Sequence, residues 1–156
     1  MKHRWAALAL AVLALSALLP RVMAAQSGGQ TTRERDAGIG LGQNYPNPFN
    51  PETRIPFSVG LAGEPPACAD PARQYRVSLR VYNLLAQLVA IPVLQGGADG
   101  VEGGQRIENL RLSCREYTAY WDGKYMGTQR EVASGIYLYR LEVDGRAVVR
   151  KMIVMK

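Results

Sequence analysis

Past residue 50 the chain alternates apolar and polar residues over short runs separated by turn residues, the pattern of strands with one buried face. In "TRIPFSV" the apolar positions Ile55, Phe57 and Val59 share a face, and Pro56, which cannot donate to a ladder, predicts an edge strand. "YRVSLRVY" sets Val77, Leu79 and Val81 inward and Arg76, Ser78 and Arg80 outward. "LVAIPVL" reads as one strand interrupted by Pro92, and Gly96 to Gly104, with five glycines, reads as a loop. "RIENLRL" and "EYTAYW" carry the alternation to Trp121, where Asp122-Gly123 turns the chain. "GIYLYRLEV" and "AVVRKMIVM", joined by Asp144-Gly145, give the strongest hairpin signal. Beyond the N-terminal apolar run, "NLLAQLV" around Leu84 to Val89 is the one stretch with a hint of helical period. The expected fold is all-β: an immunoglobulin-like sandwich of about seven strands, with Trp121 as a core anchor.

The N-terminal run has a different character. Lys2, His3 and Arg4 precede apolar residues from Ala6 to Leu19, and Pro20 breaks the run ahead of the small-residue site Val22-Met23-Ala24. This is the layout of an export signal. A spanning helix needs roughly 17 to 25 residues, more than this run supplies, which disfavours a membrane anchor. Residues 1–24 are expected to be a cleaved signal peptide and residues 25–40, rich in Gly, Gln, Thr and Arg without an apolar period, a flexible leader. Residues 41–156 are expected to form one domain, and no other segment is apolar enough to cross a membrane as a helix.

Removing the signal changes the charge and the chemistry. Loss of Lys2, Arg4 and Arg21 leaves 16 basic residues against 13 acidic, a net charge of +3 in place of +6. That is short of the concentrated positive footprint of a nucleic-acid binder, so no nucleic-acid partner is expected. His3, the only histidine, leaves as well. Imidazole-based acid-base catalysis, Ser-His or Cys-His nucleophiles and histidine zinc sites go with it, and the chain is expected to be no enzyme and to need no cofactor or metal.

Ahead of the first strand stands "LGQNYPNPFNP", a collar of Asn44, Tyr45, Pro46, Asn47, Pro48, Phe49, Asn50 and Pro51. Its prolines fix their own φ and push Tyr45, Asn47 and Asn50 toward extended conformations, which predicts a semi-rigid strip with Tyr45 and Phe49 as buried plugs. It is either a clamp at the start of the domain or a receptor-docking strip; the clamp is the commoner use of such aromatics. Trp121, Tyr117, Tyr120, Tyr137 and Tyr139 read as packing residues before a sugar platform. Asp99, Asp122 and Asp144 precede glycines singly at turns, without the dense oxygen spacing of a calcium site. Cys68 and Cys114, an even pair in an exported chain, predict a disulfide, with two unpaired thiols as the alternative. Arg76, Arg80, Arg140, Arg150 and Lys151 are consistent with a basic strip for an acidic partner, such as an anionic polysaccharide or a translocon surface, and equally with solvated strand faces.

Four blocks in order, "LGQNYPNPFNPETRIPFSV", "VYNLLAQLV", "YWDGKYMG" and "VASGIYLYRLEVDGRAVVRKMIVMK", go beyond a generic sandwich. Together they resemble the C-terminal sorting domain of type IX secretion cargo, the type A form related to the immunoglobulin-like domain of the flagellar hook-capping protein. The resemblance covers Leu41 to Lys156. It implies an exported module recognised by the outer-membrane secretion machinery, then cleaved or exchanged for a lipid-linked polysaccharide by a sortase-like protease. The destination implied is the extracellular space or outer-membrane surface of a Gram-negative bacterium, with the periplasm in transit. Gly135, Tyr137, Gly145 and Lys151 match the family's terminal pattern and carry the signal by resemblance. Ala86 replaces a glycine common in the family's middle turn, and "GEPPACADPARQ" and "RLSCREY" are longer than its compact forms. Family members usually carry a large functional domain ahead of the module, where this sequence has only the leader, so a stand-alone periplasmic or cell-surface adhesion or assembly module is the alternative.

Overall fold

The structure is a computed structural model that describes residues 38–63, 65–97 and 100–156. The signal peptide, residues 25–37 of the leader and Asp99 lie outside the described residues. The described chain forms β1 (Ile39–Leu41), β2 (Thr53–Val59), β3 (Leu61–Ala62), β4 (Ala67–Cys68), β5 (Gln74–Tyr82), β6 (Leu88–Ala90), β7 (Val93–Leu94), β8 (Leu110–Ser113), β9 (Arg115–Trp121), β10 (Gly135–Val143) and β11 (Arg146–Val154), with no helix among the described residues.

These strands build two antiparallel sheets, β1-β2-β9-β7 and β11-β10-β5-β6, with β8 also paired to β5; β3 and β4 form a separate small hairpin. The inward residues of both sheets, among them Ile55, Phe57, Val59, Val77, Leu79, Val81, Tyr139 and Leu141, belong to one buried cluster. The fold is therefore the expected all-β sandwich, with the four-and-three strand order of an immunoglobulin domain plus β6 and β8 on the second sheet. The Asp144-Gly145 turn has φ of 47° and 84°, the pair of positive values a two-residue type I′ hairpin needs, and β10 and β11 pair over nine residues in unbroken register.

Elsewhere the structure departs from the expected pattern for identifiable reasons. β2 is an interior strand between β1 and β9, despite Pro56. The Pro56 carbonyl accepts from Gly42 N at 2.8 Å, and the N–H that proline lacks is the one that would have met the Gly42 carbonyl. That carbonyl accepts the Tyr139 hydroxyl from the opposite sheet instead, at 2.8 Å, so no acceptor is orphaned. "LVAIPVL" divides at Ile91-Pro92: β6 belongs to one sheet and β7 to the other, and the chain crosses between them at the proline. Leu84 to Gln87 is a turn, held by the Asn83 side chain accepting from the N–H groups of Leu85 and Gln87 at 3.0 and 2.9 Å. Ser78, read as outward and solvated, is buried, its hydroxyl accepting from Asn109 N at 2.9 Å. Ile39 and Gly40, assigned to the leader, lie in β1.

Candidate interaction surface

The collar and the last strand meet. Phe49 N donates to the Ile153 carbonyl at 3.0 Å, Met155 N donates to the Phe49 carbonyl at 3.1 Å, and the Asn47 side chain accepts from Ile153 N at 2.9 Å. The start of the domain is thereby hydrogen-bonded along the outer edge of the end of β11. Phe49 is 2% exposed and packs edge-on against Trp121 at 5.4 Å between ring centroids, and Trp121 packs edge-on against Tyr137 at 6.0 Å. Trp121 is thus the expected core anchor, and it joins the collar to the terminal hairpin.

Tyr45 corrects half of the collar expectation: its side chain is 52% exposed. Its backbone exchanges two hydrogen bonds with Arg54, at 2.9 Å each, which extends the β2 ladder and leaves the ring on the solvent side while Asn44 turns inward. The Asn44 side chain donates to the Pro46 carbonyl at 3.1 Å and to the Thr53 hydroxyl at 3.0 Å. The collar is not a straight strip, because the chain bends at 46–48 and again at 50–51. Pro51 ends it against Gly123, where an added Cβ would lie 2.0 Å from the Pro51 carbonyl oxygen.

The four residues carried over by resemblance all fall on the β10–β11 ribbon. Tyr137 is buried and donates from its hydroxyl to the Ala133 carbonyl at 3.0 Å, four residues upstream, in the manner of a tyrosine corner; burial pushes its phenol pKa up, with Tyr125 adding to the rise. Gly135 opens β10 and Gly145 supplies the second turn position. Lys151 is exposed and forms no ion pair among the described residues, while its carbonyl accepts from the Gln43 side chain at 3.1 Å. Lys156, at the chain end, pairs with Glu131, whose carboxyl pKa that contact lowers, and its N–H donates to Ser134 at 3.0 Å.

Sequence reasoning missed the most telling feature of this ribbon. Outward positions Ile136, Val149 and Ile153 are 46%, 51% and 39% exposed, and Leu88 on β6 and Leu84 and Leu85 in the adjoining turn are exposed as well. The signal was present in "GIYLYRLEV", where Ile136 and Leu138 occupy the parity that solvated strands fill with polar residues. The expected basic strip is largely engaged. Arg80 pairs with Glu108 at 3.2 Å, Arg140 with Glu142 at 2.6 Å, and Arg150 turns to the sandwich edge, where it donates to the Leu41 carbonyl.

The remaining candidates resolve as structure. Cys68 and Cys114 form a disulfide with Cα atoms 5.8 Å apart, tying the β3–β4 hairpin to the β8–β9 junction. Tyr117, Trp121, Tyr137 and Tyr139 are buried, so no sugar platform is built from them. Asp122 accepts from Lys124 N at 3.1 Å and holds its own turn, whereas Asp144 accepts from Arg76 N at 2.9 Å and ties the β10–β11 turn to β5. Among the described residues no helix is long and apolar enough to cross a membrane.

No family model matches the sequence, and no characterised protein matches it. Among solved structures, the chain is similar to Pseudomonas fluorescens alkylpurine DNA glycosylase AlkC bound to DNA containing an abasic site analog, at 12% identity and a TM-score of 0.44. The likeness covers 81% of this chain and 33% of that one, so the chain spans about a third of that protein. The two exclusions drawn from sequence, no enzymatic activity and no nucleic-acid partner, are withdrawn. Their physical basis was narrow. Lack of imidazole removes only histidine chemistry, and a small net charge is compatible with local positive patches. A likeness of this degree assigns the chain neither an activity nor a ligand.

Proposed function

We propose that the exported chain acts as an address, similar to a type IX sorting domain. The general secretion route delivers it to the periplasm, and the outer-membrane translocon grips it for release or surface attachment, with a sortase-like protease removing it afterwards. The observation that carries this reading is the position of Gly135, Tyr137, Gly145 and Lys151 on one ribbon at the sheet's edge, locked to the collar by Phe49 and Asn47. Two blocks of the resemblance that lie about a hundred residues apart in sequence thus serve one local structure. The Cys68–Cys114 bond fits an oxidising compartment, as export requires.

The test is to place the mature chain behind an exported fluorescent reporter, in a host with the type IX machinery and in the same host lacking the translocon. Surface delivery in the first and periplasmic retention in the second are expected. Retention in both overturns the address reading. Truncating 151–156 is a poor probe, because Met152 and Val154 are core residues and their loss unfolds the ribbon itself. A second reading, a stand-alone adhesion or assembly module, is favoured by the exposed Leu84-Leu85 tip, and predicts that the retained protein binds a cell-envelope component.

A further inference from the structure

On the outer face of the β11-β10-β5-β6 sheet, cross-strand register sets Ile153 opposite Ile136. In the next row Lys151 lies opposite Leu138, Leu138 opposite Tyr82, and Tyr82 opposite Leu88. Side chains opposite or diagonal across strands lie within about 8 Å, so these residues form one apolar stripe across four strands, with Lys151 within it. In the next row Val149 lies opposite Arg140, and the charges are neutralised, Arg140 by Glu142 and Arg80 by Glu108. Lys151 is left as the uncompensated charge of the stripe, with no ion pair among the described residues.

We propose that this stripe docks an extended apolar segment of a partner protein that carries a carboxylate, its side chains seated on Ile136, Leu138 and Tyr82 and its carboxylate on Lys151. The proposal rests on reading the chain as a module gripped by another protein, and adds the face and the chemistry of the grip. Charge complementarity selects the occupant. A second copy laid face to face would bring Lys151 toward an equally cationic stripe that contains no carboxylate, an arrangement that like charges oppose. An anionic polysaccharide would leave the apolar positions uncovered, and an anionic bilayer surface draws on several free cations where the stripe has one.

The experiment is a titration of the isotope-labelled mature chain with a short capped peptide alternating valine and aspartate, and with its valine-lysine counterpart, read by amide chemical shifts and sedimentation. Shifts confined to Ile136, Leu138, Tyr82, Lys151 and Ile153, with the aspartate peptide binding at least tenfold tighter, are expected. Lys151→Glu should reverse the preference, with the melting temperature unchanged because the side chain is exposed. Equal binding of the two peptides, shifts on another face, or self-association through the stripe overturns the proposal. The titration uses no translocon, so a failure there with intact reporter delivery removes this face alone, whereas failed delivery with intact peptide binding removes the address.

Discussion

Tyr139 does more for this fold than its hydrophobic area implies. Its ring is fully buried, and its hydroxyl donates to the Gly42 carbonyl at 2.8 Å while accepting from Asn44 N at 3.2 Å. One atom thus supplies the partner that Pro56 withholds and ties the second sheet to the collar. Burial pushes the phenol pKa up, with Asn44 and Arg150 pulling against it, so the hydroxyl stays neutral at working pH. Tyr139→Phe should cost about 1 to 3 kcal/mol in urea denaturation, because a buried acceptor and a buried donor lose their partner together. A loss near zero would mean that water takes over both bonds. Asp144 offers a test with a pH signature: the Arg76 N–H, with Arg73 assisting, holds its carboxyl below the ordinary value of 3.8. A lowered folded-state pKa adds stability that is present above 3.8 and is lost as pH falls through the lower folded value. Asp144→Asn keeps an oxygen for Arg76 N and suits the turn, so its deficit at neutral pH should be under about 1 kcal/mol, as for other exposed ion pairs. That deficit should vanish in acid below the folded pKa, and one that persists there would point to the turn and not the charge.

Strands of seven or nine residues were legible because alternation needs several repeats to declare itself, and β2, β5, β9, β10 and β11 have them. β1, three residues long, has no such period and hid within the leader. Periodicity also says nothing about which sheet receives a strand, so "LVAIPVL" gave no sign that its two halves part company at Pro92. The burial of Phe49 was legible in the collar, but its bridge to Val154 joins positions about a hundred residues apart, which local pattern does not encode. The turn between β5 and β6 is a different case, because a residue already reported on it. Ala86 sits at φ 58°, a left-handed conformation that an alanine side chain resists and glycine accepts freely. Ala86→Gly should therefore raise stability by about 0.5 to 1 kcal/mol, measured by thermal melting with the chain otherwise unchanged. A destabilised variant would show that the flexibility gained in the unfolded chain outweighs the relief of strain.

The sandwich is held at its two ends by unlike devices, and β9 runs between them. At one end Cys114 precedes Arg115 and bonds the β3–β4 hairpin; at the other Trp121 gathers Phe49 and Tyr137. A strand of seven residues spans roughly 20 Å, too far for side chains at its two ends to touch. The disulfide closes a loop with a sequence separation of 46, worth on the order of 4 kcal/mol by chain entropy. Replacing both cysteines by alanine should lower unfolding stability by about 2 to 4 kcal/mol, read from urea denaturation under non-reducing conditions. The near-ultraviolet circular dichroism of the Trp121 cluster should persist at low temperature, because nothing in that cluster depends on the bridge. If the aromatic spectrum is instead lost with the bond, the collar and ribbon are not a self-sufficient lock, and the surface proposed for recognition exists only in the oxidised protein. That outcome would make oxidation in the periplasm a precondition of delivery, so the same variant, scored in the reporter strain, separates a bridge that merely stabilises from one that licenses the ribbon.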